Sequence, residues 1–194
     1  MTKSSDLSGL LLAMGVGTAL SSWAGFEVRL THLYAVLTDM PDQAKACAVF
    51  DTIISFEVRL ALCNRLMEAE ACSELEKAVW RAFKLRAEKL YKKRHGIAHF
   101  SIVEATGKRG KKTVHLSPFL SQSRLAEGRA SLLSAKDLKR RSDEFDELRE
   151  AIVWFWAQAR NRRGLLSEPD QPSSPPPLLL RLEATVSQTL KSPR

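Results

Sequence analysis

The chain has 194 residues, and its 30 Lys and Arg against 22 Asp and Glu give it a formal charge of +8 at pH 7. This length suffices for one domain with a substantial core, and a balance this basic favours a polyanionic partner, nucleic acid before a membrane surface. The three cysteines match neither the spacing of a zinc site nor a disulfide framework, so they are expected to be reduced thiols of a cytoplasmic protein.

The chain begins with an uncharged apolar stretch from Leu7 to Phe26. Glycines and serines dilute it, and Asp6 stands where a signal peptide would carry a positive flank. We therefore expect the buried start of a long helix, without membrane contact. The apolar positions of that helix continue at three- and four-residue spacing through Trp23, Phe26, Leu30, Leu33 and Leu37.

A second helix is predicted from Val49 to Met67, because apolar residues again recur on one face. Before it, residues 38–41 (Thr-Asp-Met-Pro) supply a cap and a proline suited to a first helical turn. The pentapeptide Phe-Glu-Val-Arg-Leu occurs at both 26–30 and 56–60, which indicates two helices packed along a shared seam.

The third helix is predicted to open at a capping box, residues 73–76 (Ser-Glu-Leu-Glu), and to carry its apolar stripe as far as Arg94. After His99 the spacing of the apolar residues changes from that of a helix to that of a strand. Residues 100–105 and 112–116 are predicted to form two short strands joined by a basic turn, followed by a polar, irregular segment over 117–134.

The last long helix is predicted to be capped by Ser134 and Asp137 and to end in a cluster of cations at residues 160–164. The prediction is an all-α bundle of four to five helices over residues 1–164, with a small β-hairpin inserted before the last long helix. Residues 165–177 are interpreted as a Pro/Ser-rich linker, and residues 178–194 as a short C-terminal helix or a disordered tail.

The segment with the most candidate catalytic side chains lies at the predicted end of the third helix. It comprises residues 92–99 (Lys-Lys-Arg-His-Gly-Ile-Ala-His). Histidine both takes and gives a proton near neutral pH, and the planar fork of arginine matches a phosphate. Arg94 and His99 are five residues apart, so an unbroken helix would separate them by about 140°. Either Gly96 loosens the helix end, or a second copy of the chain supplies the complementary pair.

Residues 94–99 (Arg-His-Gly-Ile-Ala-His) resemble the signature of the HEPN superfamily, in which Arg is followed by a polar residue and then by His four to six positions further on. HEPN domains are helical bundles, commonly dimeric. Many are metal-independent endoribonucleases of toxin–antitoxin, abortive-infection or CRISPR-linked defence systems, and others are inactive binding modules. This chain departs from the pattern at His95, where Asn is commoner, and at Ser101, where toxins paired with nucleotidyltransferase antitoxins carry a tyrosine.

The resemblance implies that Arg94 holds the scissile phosphate, that His99 acts as general base or acid, and that His95 orients the reacting groups. It implies RNA and a second copy of the chain as partners, an antitoxin or another protein as a further candidate, and no metal or cofactor. A set of cations near the motif would follow the phosphate backbone without reading sequence, namely Lys92, Lys93, Lys108, Arg109, Lys111 and Lys112.

Two other interpretations of the motif stand beside the nuclease. One is a non-catalytic HEPN-like module that binds a nucleotide, a nucleic acid or a protein partner through a basic cleft. The other is purely structural: Arg94, His95 and His99 bind the last carbonyls of the third helix and favour its dipole.

Overall fold

The computed structural model describes residues 3–106, 112–118, 133–165 and 174–191. Within these ranges the chain forms six helices and one two-stranded antiparallel hairpin. In chain order the elements are α1 (Lys3–Leu37), α2 (Gln43–Asp51), α3 (Phe56–Ala69), α4 (Glu74–Ala98), β1 (Phe100–Thr106), β2 (Lys112–Pro118), α5 (Ala135–Arg162) and α6 (Pro177–Lys191). The predicted all-α class, with a hairpin before the last long helix, is confirmed.

The prediction of one helix from Val49 to Met67 is wrong, because the chain breaks between α2 and α3. The Ser55 hydroxyl caps the new helix by accepting a hydrogen bond from the backbone N–H of Val58 at 3.3 Å. The Arg59 guanidinium holds the preceding loop, donating to the carbonyls of residue 53 at 2.6 Å and residue 51 at 3.2 Å. Beyond the break, one face of α3 is buried through Phe56, Leu60, Cys63 and Met67.

Three of the other helices, α2, α4 and α5, begin directly after the residue that caps them. The N-cap of α2 is Asp42, which accepts from the N–H of Lys45 at 3.1 Å, so Pro41 lies outside the helix rather than in its first turn. The predicted cap of α4 is confirmed, since the Ser73 hydroxyl accepts from the N–H of residue 76 at 3.1 Å. At α5 the Ser134 hydroxyl likewise accepts from the N–H of residue 137 at 3.2 Å.

The first half of α1 is not the buried start that its sequence suggests. Leu12 and Ala19 are buried, at 1% and 0% exposure, but they lie on one side of the helix only. On the opposite side four large apolar side chains are between 51% and 59% exposed, and we call them the α1 apolar stripe: Leu7, Leu10, Leu11 and Met14.

The chain divides into two compact units. The motif unit comprises Met1–Ala24 and Leu90–Phe145, and the tail unit comprises Gly25–Lys89 and Asp146–Arg194. The boundaries fall inside α1, α4 and α5, so each of these three helices contributes residues to both units.

The motif unit is built around the aromatic ring of Trp23. This ring meets Phe145 edge-on at 5.3 Å between centroids and Tyr91 at 5.9 Å. Beside it the hydroxyls of Ser22 and Ser142 are 3.0 Å apart in a buried hydrogen bond. The strands β1 and β2 pair from Phe100↔Pro118 to Thr106↔Lys112, and residues 107–111 lie outside the described part of the chain.

The tail unit has an aromatic core and a charged clamp. The Trp80 ring packs edge-on against Phe155 at 5.1 Å, and both rings contact Phe83. The clamp, which we call the α5 clamp, is formed by the last arginines of α5 with acidic residues from earlier in the chain. Arg163 binds Asp39 and Glu70, and Arg162 binds Glu76.

The helix α6 belongs to the tail unit. Its first turn buries Leu178 and Leu179, and Arg181 forms an ion pair with Glu147 at 2.8 Å. Of the linker interpreted at residues 165–177, residues 166–173 lie outside the described part of the chain, as do residues 119–132 of the irregular segment.

Candidate functional site

The helix α4 continues without a break through Gly96 and ends at Ala98, one residue before His99. Residues 96–98 are helical, and the N–H of His99 closes the last turn on the carbonyl of Gly96 at 3.3 Å. Of the two geometries open to the sequence, loosening at Gly96 is therefore not adopted. The helical spacing, extended by one residue beyond Ala98, corresponds to an angle of about 140° between Arg94 and His99.

The unbroken helix brings His95 and His99 together, because residues four apart lie on the same helical face. Their ring centroids are 4.4 Å apart with a 56° tilt, and both side chains are exposed. The ring of Tyr91 lies one turn earlier on this face, 6.5 Å from His95, and in turn contacts Trp23 of the core. The aromatic core thus continues outward into a pair of imidazoles that solvent can reach.

Arg94 lies on another side of α4, in line with Leu90 and Ile97, which are 0% and 2% exposed. Its side chain is half-buried, and its buried Nε has no hydrogen-bond partner among the residues that the structure describes. No ion pair or contact with His99 is found for Arg94 among the residues that the structure describes. A buried N–H without a partner costs stability, so a guanidinium in this state favours an anion as its partner.

The two lysines before the motif have different surroundings. Lys92 is exposed, whereas the Lys93 ammonium donates to both carboxylate oxygens of Glu144, at 3.1 and 3.3 Å. Glu144 also accepts from Arg141 at 2.9 Å. Burial alone would raise the pKa of Glu144, but the hydrogen bonds from Arg141 and Lys93 outweigh it and hold that pKa below its ordinary value. Lys93 and Glu144 are 51 residues apart, so only the i, i+3 spacing of Arg141 and Glu144 indicates part of this network in the sequence.

The remaining predicted cations are residues 108, 109, 111 and 112. Lys112 is the first residue of β2, and Lys108, Arg109 and Lys111 lie outside the described residues. In sequence, however, all four belong to the motif unit, which contains fourteen Lys and Arg against six Asp and Glu. The tail unit contains sixteen of each, so the motif unit accounts for the whole +8 of the chain.

The other two histidines belong to other elements, His32 to α1 and His115 to β2. His32 belongs to the tail unit, where burial and then the positive charge of Arg29 lower its pKa. His115 lies on β2 opposite Val103. In the described ranges no group of three or more His, Cys, Asp and Glu side chains is placed to hold a metal ion.

No known protein family, no characterised protein and no solved structure matches this chain. The features that bear on its function are the side chains at the end of α4 and the charge of the motif unit.

Proposed function

We propose that this protein is a metal-independent endoribonuclease of the HEPN type, acting through Arg94, His95 and His99. The observation that carries the proposal is the end of α4, where two imidazoles lie side by side on an exposed face. Beside them is a half-buried arginine whose Nε has no hydrogen-bond partner within the described part of the chain. This helix end belongs to the unit that carries the net positive charge, which suits a polyanionic substrate.

In this mechanism the Arg94 guanidinium binds the scissile phosphate and stabilises the charge that develops on it. A single positioned group of this kind typically contributes about 10²–10³ in rate. The pairing also supplies the acceptor that the buried Nε of Arg94 otherwise lacks among the described residues.

His99 removes the proton from the ribose 2′-hydroxyl or delivers one to the leaving 5′-oxygen, and His95, next to it, orients its imidazole. An in-line transesterification needs its base and its acid on opposite sides of the phosphorus. Two rings 4.4 Å apart on one helical face occupy the same side. The complementary group therefore comes from a second copy across a two-fold axis, which also reconciles the angle of about 140° between Arg94 and His99.

The substrate is RNA, because the reaction uses the 2′-hydroxyl as nucleophile and leaves a 2′,3′-cyclic phosphate. Lys92 is exposed and free to follow the phosphate backbone. Lys93, bound to Glu144, contributes to the potential around the site rather than to a direct contact.

The test is cleavage of a mixed RNA pool in EDTA by the wild type, Arg94→Ala and His99→Ala, with folding checked by circular dichroism. Each variant is expected to lose about 10²-fold or more in rate. His32→Ala, a histidine of the tail unit, is the matched control and is expected to keep wild-type activity. DNA of the same sequence should bind without being cut.

Mixing the two inactive variants tests the composite site. If each site takes Arg94 from one chain and His99 from the other, an equimolar mixture of exchanging dimers regains about one quarter of the wild-type rate. No recovery would refute the two-chain arrangement. Activity that survives both single substitutions, or that disappears in EDTA, would refute the proposed chemistry. Binding of RNA without cleavage would favour the non-catalytic module, for which the separation of Arg94 and His99 on one helix is the supporting observation.

A further inference from the structure

The α1 apolar stripe is the most conspicuous surface of the motif unit that the proposed nuclease does not use. Its residues Leu7, Leu10, Leu11 and Met14 follow the i, i+3, i+4, i+7 spacing of one helical face, and each is more than half exposed. No charged residue occurs between Leu7 and Phe26. By length and composition, Leu7–Leu37 includes a window apolar enough to cross a membrane, with a mean hydropathy of 1.4, yet only 22% of that window is buried.

The opposite side of this helix already has its partners inside the motif unit. Leu12 and Ala19 are buried, a Cβ on Gly15 would lie 3.1 Å from the side chain of Leu138, and Trp23 packs on Phe145. A helix that is apolar all round is normally covered all round. Here one side is covered by protein and the other is open, which indicates that something outside the described chain covers the stripe.

A second copy of the chain fits the stripe poorly. Four side chains, each a little over half exposed, offer on the order of a few hundred Å² of apolar surface, whereas a standard interface buries about 800 Å² on each partner. Next along this face come Gly17, Thr18 and Ser21, which do not extend the apolar area.

An anionic lipid surface suits both the exposed α1 apolar stripe and the positive charge of the motif unit. The interior of a bilayer takes up apolar side chains without a matching shape, and acidic headgroups attract a unit of charge +8. Stable attachment typically needs two such signals, one apolar and one basic, and the motif unit carries both.

We propose that the first turns of α1 lie in the interface of an anionic membrane, with the α1 apolar stripe inserted and the cations of the motif unit held at the headgroups. Leu7 to Met14 extends about 10 Å along the helix axis, so this part of α1 lies on the bilayer rather than spanning it. Spanning would also require Leu12, Ala19 and Trp23 to leave the protein core. The inserted stripe contains none of the residues assigned to cleavage, and the charge that attracts the headgroups is that of the whole motif unit.

The experiment is flotation of the full chain with vesicles of phosphatidylcholine alone or with one quarter phosphatidylglycerol. We expect the wild type to float with the anionic vesicles, and the bound fraction to fall as NaCl is raised. Leu10→Glu with Met14→Glu should weaken this binding by about 100-fold, roughly tenfold for each side chain removed from lipid.

The matched control is Val58→Glu with Leu85→Glu, which adds the same two negative charges at exposed apolar residues of the tail unit and should still float at nearly wild-type level. Equal flotation of the stripe variant and the wild type would show that charge alone binds the vesicles, and would overturn the proposal. Failure of the folded wild type to bind either vesicle would overturn it too. A wild-type dimer in lipid-free light scattering that the stripe variant converts to monomer would assign the stripe to a second copy.

Discussion

Replacing Glu144 by Gln tests the ion-pair network that adjoins the motif. In the wild type this carboxylate accepts hydrogen bonds from Lys93 at 3.1 Å and from Arg141 at 2.9 Å. Glutamine keeps the shape of the side chain but removes its charge, so Glu144→Gln leaves two cations facing a neutral amide.

The burial of Glu144, Lys93 and Arg141 determines how much stability Glu144→Gln should remove. Their exposed fractions are 19% for Glu144, 25% for Lys93 and 17% for Arg141. Exposed pairs contribute about 0–1 kcal/mol, and breaking a fully buried pair costs about 3–5 kcal/mol. For a network that is mostly but not wholly buried, we expect Glu144→Gln to lower the free energy of unfolding by about 2 kcal/mol at pH 7.

The effect should depend on pH with a definite sign. Folding lowers the pKa of Glu144, so the carboxylate contributes its full stability above the unfolded pKa, about 4.3, and loses it as the pH falls through the lower folded value. Urea unfolding followed by circular dichroism should therefore show a clear difference between wild type and Glu144→Gln at pH 7. The two midpoints should converge as the pH is lowered to about 3.

The control is Glu150→Gln on the same helix, at an exposed position, which should change the free energy of unfolding by no more than about 0.5 kcal/mol. The reasoning is refuted if Glu144→Gln behaves like this control at pH 7. It is also refuted if the loss is the same at both pH values, since the carboxylate charge would then not be the stabilising element.

Two further predictions concern the core of the tail unit. Phe155→Ala removes a fully buried ring that packs on Trp80 and Phe83, and should cost about 4 kcal/mol and lower the melting temperature by roughly 8–16 °C in a thermal scan. A drop of only 1–2 °C would contradict the packing. Burial raises the pKa of the Cys63 thiol, so a thiol reagent such as DTNB should modify Cys63 only after unfolding, while Cys47 and Cys72, which are half-buried, react in the folded protein. Immediate reaction of all three thiols in the folded protein would contradict the burial of Cys63.

The fold was predictable where its signals are local. The caps at Ser73 and Ser134 and the change of period after His99 are visible within a few residues of sequence, and the structure places helix and strand boundaries there. The break between α2 and α3 was not predictable in this way, because Val49 and Ile53 continue the apolar spacing across it. At the break the Arg59 side chain binds the carbonyl of Asp51, at the end of α2, and that of Ile53, an interaction that periodicity does not report.

The arrangement of the site was predictable only in part. Helix geometry fixes the angle between Arg94 and His99 and the meeting of His95 with His99, once it is known that α4 continues through Gly96. The pairing of Lys93 with Glu144 joins residues 51 positions apart, and no spacing rule predicts it. In α1 the sequence shows an apolar helix, but which of its sides is covered depends on where α5 packs.

The α5 clamp has a consequence for the rate at which the chain unfolds. Arg163 joins Asp39 and Glu70 across 124 and 93 residues, so the ends of these pairs meet only after most of the intervening chain is in place. Contacts of such high sequence separation form late, and a stabilising contact absent from the folding transition state slows unfolding while leaving the folding rate almost unchanged. We therefore expect that breaking the clamp would raise the unfolding rate more than it lowers the folding rate.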